Sequence, residues 1–321
     1  MKILGETRVE TNVDSMELKP LLPSGKPEEQ ARTTIFLSGS GSNAEEILRR
    51  WTEDNAAGRK TTFTVACLVT DAPETSRARE LGRLFHLPVV EEDIRKFYHD
   101  RGETRVSIAT PRGQQIREEW TDALRQKLAP YAVSFGIFAG FVPLTNLTAD
   151  LPCLNVHPGD LTYRKNGLRH LVGLHEIPVE RAILDGLDYL RSSVILATPV
   201  SGKGDDMDGG PLLGISQPMP MEVTETQLEE FRALAAARPE RRPVGGFRDA
   251  LEEFASARQN DLKKAGDWVV FYPVIRDFAA DRFYVDKAGQ LYFRQGTGKF
   301  LPIQTVQYAE DGSRELLLGG E

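Results

Sequence analysis

IFLSGSGSNAEEIL, residues 35–48, joins a short apolar run to a turn with glycines at 39 and 41 and then to the start of an amphipathic helix. A strand that turns on glycine straight into a helix leaves the first amides of that helix free, and free amides at a helix N-terminus hold anions. The order Gly39-x-Gly41-x-x-Ala44 fits the dinucleotide fingerprint G-x-G-x-x-G/A, with Asp71 at the end of the next strand as the candidate ribose carboxylate. That acid is expected about 20 residues past the glycines, and Asp71 lies beyond this. Ser42-x-x-Glu45 also reads as a capping box. Capping and anion binding are compatible, because Gly41, Ser42 and Asn43 offer backbone donors, a hydroxyl and a side-chain amide at one point.

Outward from this turn the chain keeps a strand–helix rhythm. TTFTVACLVT (61–70), LPVV (87–90), YAVSFGIFA (131–139) and PCLNVH (152–157) are buried-strand runs. Between them, NAEEILRRW (43–51), with Ala44, Ile47, Leu48 and Trp51 on one face, is a helix. ETSRARELGRLF (74–85), with Ala78, Leu81, Leu84 and Phe85 inward, and RGQQIREEWTDALRQKLAP (112–130) are two more. Alternating strands and helices predict an α/β fold: a Rossmann-like, open, mostly parallel sheet with helices on both faces. SSVILAT (192–198) and PLLGISQPMPM (211–221) read as antiparallel strands at the sheet edge. The chain divides into an N-terminal extension over 1–32, the α/β domain over 33–221, and a C-terminal α+β appendage over 222–321. TRVETNV (7–13) alternates like an added strand. RFYVDKAGQLYFRQ (282–295) has the aromatic alternation of a β-hairpin.

The composition of the 321-residue chain is 40% hydrophobic and 27% charged, which permits a sizeable buried core. A net charge of −7 argues against nucleic-acid binding as the main task, and leaves room for a basic pocket that takes a small anion. Cys67 and Cys153 both sit in apolar runs, as reduced core cysteines of a cytoplasmic protein do. They form no CxxC motif, so no metal is expected. No apolar run is long enough to span a membrane, and the N-terminus is not a secretory signal.

The chemistry is carried by three further segments, FAGFVPL (138–144), CLNVHPG (153–159) and DDMDGGPLL (205–213). Asn155 and His157 are two apart on a strand and project from one face, at the carboxyl edge where open α/β sheets bind ligands. Asp208 opens a Gly-Gly-Pro turn. An amide, an imidazole and a carboxylate suit acyl transfer to an amine. Asn155 and protonated His157 stabilise the oxyanion, while Asp208 orients the ring and helps move the amine proton.

Over residues 33–220, SGSGSN, AGF, LNVHP and DGGP in this order resemble the formyltransferase family, and within it the phosphoribosylglycinamide formyltransferases. The resemblance implies that Asn155, His157 and Asp208 are catalytic. It also implies that Gly41, Ser42 and Asn43 hold the substrate phosphate and that Gly140 lies beside the substrate amine. Phe141, Val142, Pro143, Leu144 and Met207, within the loops 140–144 and 199–208, would cradle the pterin of 10-formyltetrahydrofolate. The implied reaction moves a formyl group from that co-substrate to the primary amine of a phosphorylated small molecule, by default glycinamide ribonucleotide. Three alternatives stand beside it: another amine such as an amino sugar nucleotide, a nicotinamide enzyme using Gly39, Gly41 and Asp71, and an inactive binding protein on the same scaffold.

The chain departs from the family after His157. A Ser-Leu-Leu-Pro segment is replaced by HPGDLTYRKNGLRHLVG (157–173), where Arg164, Lys165, Arg169 and His170 make a basic wall suited to extra anion contacts. The loop before Asp208, ATPVSGKGDDM, is longer. The extensions are candidates for a partner, a contact between copies or a second substrate element.

Overall fold

The computed structural model describes residues 17–23, 30–59, 61–174, 176–199, 206–243 and 245–318, with only the backbone described at 206 and 207. The expected strand at 7–13 lies outside the described residues.

A nine-stranded sheet runs from edge to edge through Arg314–Leu317, Thr305–Tyr308, Leu212–Ser216, Ser193–Ala197, Cys153–His157, Phe135–Phe138, Ala31–Phe36, Phe63–Thr70 and Val89–Glu91. The last five named are mutually parallel. Their buried side chains are mainly apolar on both faces, which suits a sheet covered on both sides. Ile35, Ile137 and Leu154 face the helices Ser42–Ala56 and Trp268–Ala279. Phe36, Phe138 and Cys153 face Pro111–Leu128. The α/β class and the mostly parallel sheet follow the strand–helix rhythm of the sequence.

Ser193–Ala197 and Leu212–Ser216 pair antiparallel, as expected. They do not close the sheet, because Thr305–Tyr308 adds in parallel to the second of them and Arg314–Leu317 follows. The helix predicted over 74–85 forms only at Ala78–Leu84, and Leu84 points outward, 58% exposed. Its inward positions are Ala78, Leu81 and Gly82, where a Cβ at 82 would stand 2.4 Å from Val89 Cγ2.

The C-terminal residues add both helices and strands. Phe283–Val285 and Leu291–Arg294 form the expected hairpin, inside a four-stranded sheet with Phe300–Ile303 and Lys19–Pro20. A continuous helical stretch, Ala250–Leu262, Lys263–Asp267 and Trp268–Ala279, has a π turn in its middle five residues. Its last section brings Val270, Val274, Ile275 and Phe278 into the same core as Ile35 and Leu154. Two buried bonds pin it there, Tyr272 to Asp54 at 2.7 Å and Tyr308 to Asp277 at 2.8 Å.

Candidate active site

The glycine turn sits at the carboxyl end of Ala31–Phe36. Gly41 is the N-cap of the helix Ser42–Ala56, with φ 63° and ψ 18°, and no side chain caps that end. A Cβ at 41 would lie 2.8 Å from Leu37 Cδ1 and 3.0 Å from Leu81 Cδ1, so both conformation and space call for glycine. The capping box expected from Ser42 and Glu45 does not form. The Glu45 carboxylate pairs with Arg77 at 2.7 Å instead, and among the described residues no side chain caps the first-turn amides.

Asn43 departs from its expected use. Its side-chain amide donates to Asp267 at 2.9 Å and its oxygen accepts from the Trp268 indole at 3.1 Å. A ligand at this turn therefore meets the Asn43 backbone rather than the side chain. Ser192 also donates to Asp267, at 2.6 Å. The π turn makes this junction, setting Gly266 so close to Ser192 that a Cβ would fall 2.4 Å from its hydroxyl. Burial pushes the Asp267 carboxyl above the ordinary aspartate range, against the pull of Ser192 and Asn43.

Gly140 has φ 80° with open space around it. Its carbonyl accepts from the Ser38 amide at 3.2 Å, and the Ser38 hydroxyl accepts from the Val142 amide at 3.0 Å and donates to Asp71 at 2.6 Å. Asp71 is thus a buried support of the 140–144 loop, and burial raises its carboxyl. A carboxylate so placed does not present itself to a ribose. Phe141 turns into the core against Phe36, Phe138 and Trp120, so a ligand meets only its backbone. Val142 stands 55% exposed, Pro143 is buried, and Leu144 is half-buried with its carbonyl held by Arg117. The Met207 side chain and residues 200–205 lie outside the described residues.

Asn155 and His157 share one face of Cys153–His157, opposite Ile195 and Ser193 on the neighbouring strand. His157 is 3% exposed. Its Nε2 donates to the Leu171 carbonyl at 2.6 Å, and its Nδ1 lies 3.6 Å from Asp208 Oδ2. Because a carbonyl only accepts, the ring carries its proton on Nε2, and Nδ1 is the nitrogen that exchanges a proton beside Asp208. Glycine makes this approach possible: a Cβ at 159 would lie 2.5 Å from the Leu171 oxygen and 3.0 Å from His157 Nε2. Asp208 lies in the 3-10 turn Asp206–Gly209. Arg169 donates to the Asp208 carbonyl and, at 2.9 Å, to that of Gly210. A Cβ at 210 would collide with the Leu196 carbonyl at 1.8 Å, which explains the second glycine of the DGGP turn. One segment, Arg169–Leu171, therefore braces both His157 and Asp208.

Three solved structures share this arrangement of elements. The phosphoribosylglycinamide formyltransferase of Coxiella burnetii superposes with a TM-score of 0.54 at 15% identity, over 87% of this chain and 100% of its own. That of Anaplasma phagocytophilum gives 0.52 at 14% identity, over 84% and 96%. The fold is that of the formyltransferases. A formyltetrahydrofolate deformylase from Pseudomonas syringae pv. tomato superposes at 0.53 with 13% identity, over 83% of this chain and 66% of its own. No protein-family profile matches the sequence, and no curated protein does.

Within this formyltransferase fold, His157 and Asp208 come together, and Asn155 stands on the strand face of His157. The residues that sequence reasoning missed are Asp267, Ser192, Trp268 and the carbonyl of Leu171. Gly-Asp-Trp at 266–268, set directly before an apolar helix, was the one local signal; the Leu171 carbonyl carried none. Among the described residues no cluster of His, Cys, Asp and Glu forms a metal site, and no helix is long and apolar enough to cross a membrane.

Proposed function

We propose that this protein transfers a formyl group from 10-formyltetrahydrofolate to the primary amine of a phosphorylated small molecule, with glycinamide ribonucleotide the default acceptor. The observation that carries the reading is the 3.6 Å approach of His157 Nδ1 to Asp208, with Asn155 on the same strand face. The acceptor phosphate would sit at the open amides of Ser42 and Asn43, where a doubly charged group gains most from the helix end.

The residues around the 140–144 loop suit one face of a flat heteroaromatic ring. Val142 is exposed, Gly140 leaves free space, and the Val142 amide is held in place by Ser38 and Asp71. The folate supplies an activated formyl group. The chain's own residues do the rest. Asn155 and the charged His157 ring face the negative charge that builds on the formyl oxygen when the amine attacks. Asp208 keeps the charged ring oriented and takes up, through a water, the proton that the amine loses. The burial of His157 strengthens these interactions by excluding water.

The test is to supply 10-formyltetrahydrofolate with and without glycinamide ribonucleotide and to follow tetrahydrofolate, formylated acceptor and formate. Saturable formyl-acceptor formation at micromolar glycinamide ribonucleotide supports the reading. Release of formate alone, indifferent to any amine, would replace it with hydrolysis at the same pair. Absence of turnover with every amine and with water would refute both.

A further inference from the structure

The basic hairpin in the altered wall braces the Asp208 turn through Arg169, but the charges it carries have no role in the reaction as derived. Arg164–Lys165 and Leu168–Arg169 pair through an Asn166-Gly167 turn whose two residues have φ 52° and 78°. The register sets Arg164 directly against Arg169, and like charges in that position destabilise a hairpin. Neither charge is neutralised by the described contacts of its guanidinium. Arg164 donates to the Gly167 carbonyl at 2.8 Å, and Arg169 to the carbonyls of Asp208 and Gly210. Burial and the neighbouring Arg164 both push the Arg169 guanidinium below its ordinary value; Asp208 alone acts the other way.

Both arginines line a cavity of about 220 Å³ between the hairpin and the C-terminal sheet. Leu161 and Pro211 form its apolar wall, Gln290 and Gln304 lie opposite, and no carboxylate is among its described lining residues. Pro211 closes the turn that Asp208 opens, so the cavity adjoins the candidate active site. Two guanidiniums that make no ion pair among the described residues, one of them half-buried, facing a cavity with no carboxylate among its described lining, are a receptor for an oxyanion, which an arginine fork binds through paired hydrogen bonds.

We propose that Arg164 and Arg169 form a second anion subsite, which takes a phosphate or a pair of carboxylates carried by one of the two reactants. The link to a reactant rests on the formyl-transfer reading; the subsite itself does not. Two sources have this chemistry: the glutamyl tail of the folate and a second phosphate on the acceptor.

The binding test uses the full chain carrying Ser42→Asp, which closes the helix-end site. Inorganic pyrophosphate and triglutamate are titrated separately by calorimetry. Saturable binding of at least one probe is expected. It should weaken about tenfold in Arg164→Gln, the loss of one charge-assisted contact, weaken less in Arg164→Lys, which keeps the charge without the fork, and stay near the starting value in the distant Arg83→Gln. If neither probe saturates, or if Arg164→Gln binds as tightly as its parent, the subsite is disproved. The kinetic test uses Arg164→Gln in the transfer assay. A higher Michaelis constant for polyglutamyl but not monoglutamyl folate assigns the folate tail. A higher constant for the acceptor alone assigns its phosphate, and no change in either overturns the proposal. Should the unaltered protein transfer no formyl group, the reading of the reaction falls while calorimetry still decides the subsite.

Discussion

His157 and Asp208 face each other at 3.6 Å across the cleft, while the other ring nitrogen of His157 is tied to the Leu171 carbonyl at 2.6 Å. This asymmetry separates the two roles of the ring. Asp208→Asn should lower turnover by about a hundred- to a thousandfold, the usual consequence of removing one group that meets transition-state charge. Its thermal midpoint should hardly change. His157→Ala should lower turnover similarly and also cost about 1–3 kcal/mol of stability, because it strands a buried carbonyl. Steady-state rates and thermal melts check both; near-normal turnover in Asp208→Asn would end the assignment.

Arg169 holds the Asp208 turn by its backbone, through the carbonyls of Asp208 and Gly210. Arg169→Gln should release that turn and reduce turnover, and Arg169→Lys should restore part of it. Arg164→Gln, which does not touch that turn, should change a Michaelis constant and not the turnover at saturating reactants. Equal turnover in Arg169→Gln and the parent would show that the brace is dispensable.

The phosphate reading of the helix end makes its own prediction. Ser42→Asp brings a like charge to the open amides and should raise the Michaelis constant of the phosphorylated acceptor. Gly41→Ala should cost about 1–2 kcal/mol for the left-handed backbone alone, before its contact with Leu37 Cδ1 is counted. An unchanged acceptor constant in Ser42→Asp would place the phosphate elsewhere.

Asp267 couples stability to pH. Burial raises its carboxyl in the folded protein, so the folded state keeps this proton longer than the unfolded chain. The stability contributed is present in full below about pH 4 and is lost as the pH rises through the folded value. The excess stability of the parent over Asp267→Asn, from denaturant unfolding at a series of pH values, should therefore shrink on going from about pH 4 toward neutrality. A difference that stays flat or grows would contradict this.

Deleting 222–318 should leave no cooperatively folding protein. Val270, Val274, Ile275, Phe278, Val306 and Tyr308 are nearly or fully buried in the sheet's own core. Each buried side chain of this size contributes about 1.5–3 kcal/mol, and together they rival the 5–15 kcal/mol that holds a typical domain together. A sharp thermal transition in the truncated protein would show that the remaining sheet is self-sufficient.

The local pattern of the sequence determined the strand–helix alternation, the glycine turn at Gly41 and the shared face of Asn155 and His157. Each of these follows from periodicity and backbone sterics within a few residues. Tertiary structure alone decided what each polar group meets. Ser42 and Glu45 satisfy the capping pattern, yet Gly41 takes the cap position and Glu45 pairs with Arg77 at the start of another helix. Asn43 looked free for a ligand until a helix more than two hundred residues later supplied Asp267 and Trp268. Phe141 belongs to the core for the same reason: three aromatic rings from other elements surround it. Hydrogen bonds and burial depend on which atoms arrive from distant elements, and a linear pattern does not encode that arrival.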